Sequence, residues 1–487
     1  MAIRLSGSSG KDSRMDKPAA ELLYDSGKDP TVGKLLELDQ ENKTLKAKIA
    51  ALSTDSTNSS KPPSSDGPGV KKKDKKPGRR KRGGQIGHKG KKRILLPEGE
   101  MDHIVNIFPQ ACEKCRKTLT PDESGEPSRP LRHQVFDLPE IHPIKTEYRC
   151  HELPCTCGHV TRAALPAEVA GSNFGPGVHA AVAYLASVHR GTRRGIAEIM
   201  SAVFNLDISL GAVCRILDRV SEACAPETEH IRENIAGSLA LNIDETGWKS
   251  AGNPRWLWVF VSSVAVLFHV ASSRASKVLQ SVLGESFSGV ITSDDHSAYN
   301  KYHKSGVRQL CWAHLIRKLK GLKDGRASPD AYLFARHMLK EAGTLFSYWH
   351  AFKEAGCTRA ELWQASALIR GRIKSSCLRY QKSSDKDVRT RAAGFLKNWD
   401  ILFTFLRVEG IEPTNNAAER AIRPAVQWRK ICFGNQSSNG ERFTERILTV
   451  TRTCQMRQKN AFRFLTHLMS AFFRQEPLPS LTRDTLR

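Results

Sequence analysis

The sequence has no apolar run long enough to cross a bilayer. Its most hydrophobic stretch, Trp256 to Ala271, is interrupted by two Ser and a His, whereas a spanning helix needs about 20 consecutive apolar residues. The opening MAIRLSGSSGKDSRMDKPAA lacks the apolar core of a secretory signal. Cysteine is sparse over most of the chain: seven of the twelve stand singly, as reduced thiols of a cytoplasmic protein do. These absences point to a cytoplasmic location and to no membrane partner. Acidic residues are also short, 50 against 76 Lys and Arg, leaving a formal charge of +26. A surplus of that size makes a polyanion the default partner, nucleic acid first. Thirteen Lys/Arg and one Asp fall within residues 71–93, a net +12, and such clustering favours a polyphosphate over a protein that is merely basic. What is present is a globular composition, 39% hydrophobic and 26% charged, which excludes a wholly disordered or collagen-like chain. A length of 487 residues implies two to four domains.

Residues 1–30 are polar and read as a disordered tail. Over residues 31–53, Leu35, Leu38, Asn42, Leu45, Ile49 and Leu52 alternate at spacings of three and four. That a/d seam predicts a coiled-coil helix, with Asn42 at an a position where a buried amide fixes two-stranded register; a single amphipathic helix lying on the protein's own core is the other reading. Residues 54–100 hold NSSKPPSSDGPG (58–69), the lysine run and GGQIGHKGKK (83–92). Ser, Pro, Gly and Lys in these proportions bury no core, so a basic disordered linker is expected. Its Lys71, Lys72, Lys73, Arg79, Arg80, Lys81 and Arg82 are candidate phosphate contacts.

Five Cys crowd into the stretch 101–165. Cys112 and Cys115 form C-x-x-C, and Cys155 and Cys157 form an irregular C-x-C some forty residues later, with Cys150 as an alternative ligand. Paired thiolates so spaced predict a small structural Zn²⁺ unit. Residues 170–230 read as helical. Within them GIAEIMSAVFNLDISLGAVCRILDRV (195–220) has a helix-turn-helix outline, with Ser209 as N-cap of the second helix.

From residue 238 the period becomes that of strands: LALNIDET (239–246), WLWVFVSS (256–263), AVLFHVAS (265–272) and GVITS (289–293), the last ending in Asp294. A helix, SKVLQSVLG (276–284), intervenes, and QLCWAHL (309–315) reads as a strand running into a helix. Residues 315–408 are helical in pattern, another helix starts at NNAAERAIRPA, and residues 474–487 form a tail. Asp244 and Asp294 thus stand at strand ends and Glu419 in a late helix. Three converging carboxylates make a hard, all-oxygen site for Mg²⁺ or Mn²⁺. Two such ions about 3.5–4 Å apart activate an attacking oxygen and stabilise a leaving oxygen at a phosphodiester.

The wording around each carboxylate carries more. NIDETGW, TSDDHSAYN, QLCWAHLIRKL, NNAAERAIRP and RKICFGNQSSNG occur in that order, preceded by NSSKPPSSDGP, GGQIGHKG, the paired cysteines and the heptad helix. In this the chain resembles the bacterial DDE transposases of the insertion sequence 66 family, from about residue 35 to 470. The resemblance implies a multidomain α+β protein with an RNase H-like DDE catalytic domain over 236–473, carrying a helical insertion at about 315–408. It carries the catalytic, Mg²⁺-binding roles to Asp244 (a DETGW-type motif), Asp294 (an SDG-type motif) and Glu419 (NN-x-x-ER), which are 50 and 125 residues apart. Asp295 stands where the family has Gly, and is the rival for the second carboxylate. Expected substrates are double-stranded DNA, the element's terminal repeats and the target. Metal-dependent phosphodiester hydrolysis would be followed by strand transfer. A homo-oligomer, expected as a dimer, accessory proteins of the same element, and a bacterial, nucleoid-associated location follow from the same likeness. A catalytically inactive, domesticated DNA-binding protein and an RNase H-like nuclease are the alternatives.

Basic neighbours are candidate DNA contacts: His314 and Arg317 beyond the last strand, and Arg420, Arg423, Arg429 and Lys430 around the Glu419 helix. Residues 419–463 hold ten Lys/Arg against three Glu. His314 either meets the scissile phosphate or packs under the sheet, and Trp248 either stacks on an unpaired base or belongs to the core.

Overall fold

A computed structural model describes residues 17–52, 93–120, 130–303, 306–325, 328–356 and 358–482. The chain divides into two compact units, residues 1–70, 148–196 and 209–487 in one and 71–147 with 197–208 in the other. The basic run, with Lys71, Lys72, Lys73, Arg79, Arg80, Lys81 and Arg82, lies outside the described residues.

In the larger unit the stretch expected to be a disordered tail contains a helix, Lys17–Asp25. The heptad region forms one helix, Lys28–Leu52. Of its seam residues, Leu35 and Leu45 are 61% and 55% exposed and Leu38 is half-buried. Beyond it come a short antiparallel hairpin of β1 (Glu152–Pro154) and β2 (Val160–Arg162). The helix expected after Ser209 runs over Leu210–Ala236, with the Ser209 hydroxyl accepting from the Ala212 N–H at 3.2 Å. Its partner of the helix-turn-helix reading, Arg193–Phe204, is divided after Ile196 between the larger unit and the smaller.

The remaining strands, β3 (Ala240–Ser250), β4 (Asn253–Val261), β5 (Val266–Ala271), β6 (Val290–Ser293) and β7 (Arg308–Leu310), make one mixed sheet in the order β5-β4-β3-β6-β7. β4 is antiparallel to both its neighbours, while β3, β6 and β7 run parallel. The three antiparallel strands are those the hairpin pattern predicts.

Both edges of this sheet are closed by side chains. Along β5 the N–H groups of Val266, Phe268 and Val270 point outward, two residues or about 6.8 Å apart. Thr453, Thr449 and Glu445 of the Ser438–Met456 helix accept them at 3.0, 2.9 and 2.6 Å. Residues four apart on a helix are about 6 Å apart, so helix and strand periods match over three bonds and the edge offers no template for another strand. At the β7 edge, Gln309 Oε1 accepts the Phe405 N–H at 2.8 Å and Thr404 donates to Arg308 O.

The Asn416–Cys432 helix lies on β3 and β4 through Ala418, Ala421, Ile422 and Ala425, with Trp248, Leu257 and Val259 beneath. Small residues at that face let its backbone approach the sheet closely. Pro424 inside the helix has no N–H for Arg420 O, and Arg452 donates to that carbonyl instead, at 3.4 Å. Past β7 the chain is helical from Trp312–Gly325 to the 404–406 turn, as the pattern over 315–408 predicts, and these helices pack round Trp312, Phe334, Leu345, Trp349, Phe395 and Phe405 in a core that also takes in Val290 of β6 and Leu310 of β7.

In the smaller unit, Arg132 donates to Leu96 O at 2.8 Å, Gln134 brackets Leu96 with two 2.9 Å bonds, and Arg93 stacks over Phe136. No helix of the described residues is long and apolar enough to cross a membrane.

Candidate functional site

Strand alternation sorts the catalytic candidates of β3. Leu241 and Ile243 are buried on one face, while Asn242, Asp244 and Thr246 are half-buried on the other. β6 pairs in parallel with β3, Asn242 opposite Thr292. Continued for two residues, that register brings Asp294 level with Asp244 on strands about 4.8 Å apart. Asp294 is 28% exposed at its side chain, and its Oδ1 accepts the His296 N–H at 2.9 Å. Asp295, the rival, faces solvent.

Glu419 is set by the residue that opens its helix. Asn415 is fully buried; its Nδ2 donates to Ile243 O at 2.7 Å and its Oδ1 accepts from Asn242 Nδ2 at 3.0 Å. Its backbone N–H donates to Cys311 Sγ at 3.1 Å. The side chain of Asn415 therefore ties the start of the Glu419 helix to the strand of Asp244, and its backbone N–H ties it to Cys311, just past β7. One turn on, Glu419 Oε1 accepts from Arg317 at 2.9 Å and stands 3.6 Å from His314 Nδ1.

The electrostatics follow from that packing. Burial, and then the charges of Glu245, Asp294 and Glu419, push the Asp244 carboxyl well above its ordinary range. The charges of the other two candidate carboxylates thus both reach Asp244. Glu245 faces the other side of the sheet, where Arg274 and Tyr299 donate to it; burial and then Asp294 still raise its pKa. Arg274 also reaches Asp294 Oδ2 at 3.7 Å. Burial, then Arg317, lowers the pKa of His314.

The ligand atoms of Cys311, His314 and Glu419 lie within 4.8 Å of one another, the one such group of three among the described residues. Burial pushes the Cys311 thiol up to about 11, against the pull of the Asn415 N–H that its Sγ accepts, and so keeps it protonated at neutral pH. His314 and Arg317 therefore meet Glu419 and not open solvent. Trp248 is core: it is 3% exposed, and its Nε1–H donates to Asn435 Oδ1 at 2.6 Å.

The outer side of the Glu419 helix presents Asn416, Arg420, Arg423, Gln427 and Lys430, all exposed. Their spacings of four, three, four and three keep them on one stripe. Arg429 is turned the other way and donates to Gly247 O and to Thr246 Oγ1.

Each cysteine pair occupies a turn of its own. In the smaller unit, Cys112 N–H donates to Lys117 O and Arg116 N–H to Cys112 O, both at 2.9 Å. The N–H groups of Cys115 and Lys114 lower the Cys112 pKa. In the larger unit, Cys155 N–H donates to His159 O at 2.8 Å, and the Cys157 N–H lowers the Cys155 pKa. Both turns favour thiolate, the form that binds metal. The boundary between the units, at Tyr148, runs through the stretch expected as a single zinc unit. Cys150 is exposed, just ahead of β1.

Residues that the sequence did not single out are Asn415, Cys311, Glu245 and Arg274. Two had a local signal: Asn415 opens the NN-x-x-ER motif, and Cys311 stands three residues before His314 at a strand-to-helix junction.

The family model described as Transposase IS66 family matches residues 171–442. A second model, a family of unknown function, matches residues 27–94. The uncharacterized protein y4qI of Sinorhizobium fredii (strain NBRC 101917 / NGR234) is 27% identical over 269 residues, which are 50% of this chain. The chain covers 46% of that relative's length.

Proposed function

Because the chain belongs to the IS66 family of transposases, we propose that it is a DDE-type DNA transposase that binds the terminal repeats of an insertion sequence and joins them to target DNA. The observation that carries this reading is the convergence of Asp294 and Glu419 on buried Asp244, reached from two parallel strands and a helix. The sheet order supports an RNase H-like core: counted within the sheet it is 3-2-1-4-5, with the second strand alone reversed.

The donor set fits the divalent metal that the family implies. Carboxylate oxygens suit Mg²⁺ or Mn²⁺, and Asp244, its pKa raised by burial and then by the neighbouring carboxylates, is a site where a cation would offset buried negative charge. Asp244, Asp294 and Glu419 would hold it, and when bound it would supply Lewis acidity for phosphodiester hydrolysis and strand transfer. Arg317 and His314 orient Glu419. The exposed stripe of Arg420, Arg423 and Lys430 neutralises backbone phosphates and lays the DNA along the helix. The cysteine pairs Cys112/Cys115 and Cys155/Cys157 bind structural zinc, and the seam of the Lys28–Leu52 helix pairs two chains, as the joining of two element ends requires.

The test separates chemistry from binding. Asp244→Asn and Glu419→Gln keep shape and remove one charge each. Cleavage of labelled element ends in Mg²⁺ should collapse, and so should the Mg²⁺-induced rise in melting temperature, while DNA affinity stays within about twofold because its electrostatic component comes from Lys and Arg. Asp294→Asn should behave like these two and Asp295→Asn like wild type. Cleavage at the wild-type rate by Asp244→Asn would overturn the assignment.

A further inference from the structure

The basic stripe of the Asn416–Cys432 helix ends on a residue that packing does not explain. Phe433 occupies the left-handed C-cap position, φ 60°, where its N–H bonds Arg429 O at 2.8 Å. Glycine is the usual occupant of that position because a Cβ is unfavourable there, and a bulky side chain is strained. Burial does not offset this: the ring is 75% exposed, more than any other phenylalanine among the described residues.

The backbone beneath it is fixed. Gly434, φ 112°, is buried so closely that a Cβ would come 2.2 Å from Lys249 O. Asn435 N–H donates to Lys249 O and Asn435 O accepts from Ala251, both at 2.9 Å. Its side chain accepts from Trp248 Nε1–H and donates to Gly440 O and Thr444 Oγ1 at 3.0 and 2.8 Å. The strained ring is thus carried on a rigid mount anchored to β3, the strand of Asp244. It follows Lys430 by three residues, at the C-terminal end of the helix that carries Arg420 and Arg423. Fourteen residues of helix separate it from Glu419, about 21 Å, or roughly six base-pair steps at 3.4 Å each.

We propose that Phe433 stacks on a nucleobase of the bound DNA, about six steps from the phosphate held at Glu419. This rests on the transposase reading above. Cations for phosphates beside a rigid, exposed aromatic form the combination that grips nucleic acid through its bases whatever their sequence. The base is either already unpaired or exposed by opening a duplex step.

The experiment uses the full chain with a forked duplex carrying 2-aminopurine in its unpaired arm, and a fully paired duplex with the same fluorophore. Phe433→Gly restores the residue that the backbone prefers, so its melting temperature should equal or exceed that of wild type. Its affinity for the fork should fall about tenfold and the change in 2-aminopurine emission should vanish, while Phe433→Trp keeps both. A matching loss on the paired duplex would assign the ring to an opened step, and a loss on the fork alone to an unpaired base. Wild-type affinity and emission in Phe433→Gly would overturn the proposal, as would a fall in its melting temperature, which would give the ring a structural role. If wild type bound neither DNA, the transposase reading itself would fail.

Discussion

Asn415 is the side chain on which the geometry of the Glu419 carboxylate most depends, and Asn415→Ala should reveal it. The substitution removes two buried hydrogen bonds, to Ile243 O at 2.7 Å and from Asn242 Nδ2 at 3.0 Å. Each is worth about 1 kcal/mol net, and stranding a buried partner adds about 1–3 kcal/mol, so a loss of about 3 kcal/mol is expected. For a domain of this size, that lowers the melting temperature by about 6–12 °C. The backbone bond from Asn415 to Cys311 Sγ does not involve the side chain, so the helix should still start where it does and the chain should fold. What should loosen is the distance between Glu419 and Asp244: cleavage of element ends should fall by more than tenfold, with DNA affinity nearly unchanged. Differential scanning calorimetry and single-turnover cleavage read the two effects. A double-mutant cycle with Asn242→Ala should return about 1 kcal/mol of coupling. Melting within about 1 °C of wild type, or cleavage and binding reduced by the same factor, would refute the idea that this amide positions Glu419.

Three further outcomes follow from particular residues. Burial holds His179 down to about 4, even against its Gly175 carbonyl contact. Its folded pKa thus lies below its unfolded one, and the stability that neutral His179 contributes should be lost as pH falls from about 6.5 to about 4; His179→Phe should flatten that slope in pH-dependent melting. Metal analysis of the whole chain should find zinc that Cys112→Ser with Cys115→Ser reduces, and an undiminished content would move the ligands elsewhere. Replacing Leu38 and Leu45 with Lys should shift the hydrodynamic size to monomer if the exposed seam pairs chains, and an unchanged size would leave a single amphipathic helix.

The parts of this molecule that the sequence made legible are those that depend on neighbours along the chain. Alternating β-branched and aromatic residues announced β3, β4 and β5, and a hydroxyl before an apolar run announced the cap at Ser209. The candidate carboxylates were less simply placed: Asp294 follows the end of β6 and Glu419 lies one turn into its helix, but β3 runs on to Ser250, so Asp244 sits within the strand and not at its expected end. Their supports were not legible. Asn415 meets Ile243 across 172 positions, and Thr449 meets Phe268 across 181; no local period encodes which strand a polar side chain will close. In hindsight Glu445, Thr449 and Thr453 carry a trace, since a polar row at i, i+4, i+8 on a face otherwise as buried as Ile447 and Leu448 needs buried donors to meet. His314 and Arg317 were read as candidate DNA contacts from their charge and their place on one helical face beyond the last strand, and their contact with Glu419 needed the sheet to bring residues 105 and 102 positions apart together. Phe433 was invisible for another reason. A phenylalanine before a glycine reads as the end of a helix with the glycine as its left-handed cap, and only the backbone reveals that the cap has moved one residue back onto the aromatic. A rule of local preference is broken there with no packing to offset it, as happens where a side chain is held for something other than the fold.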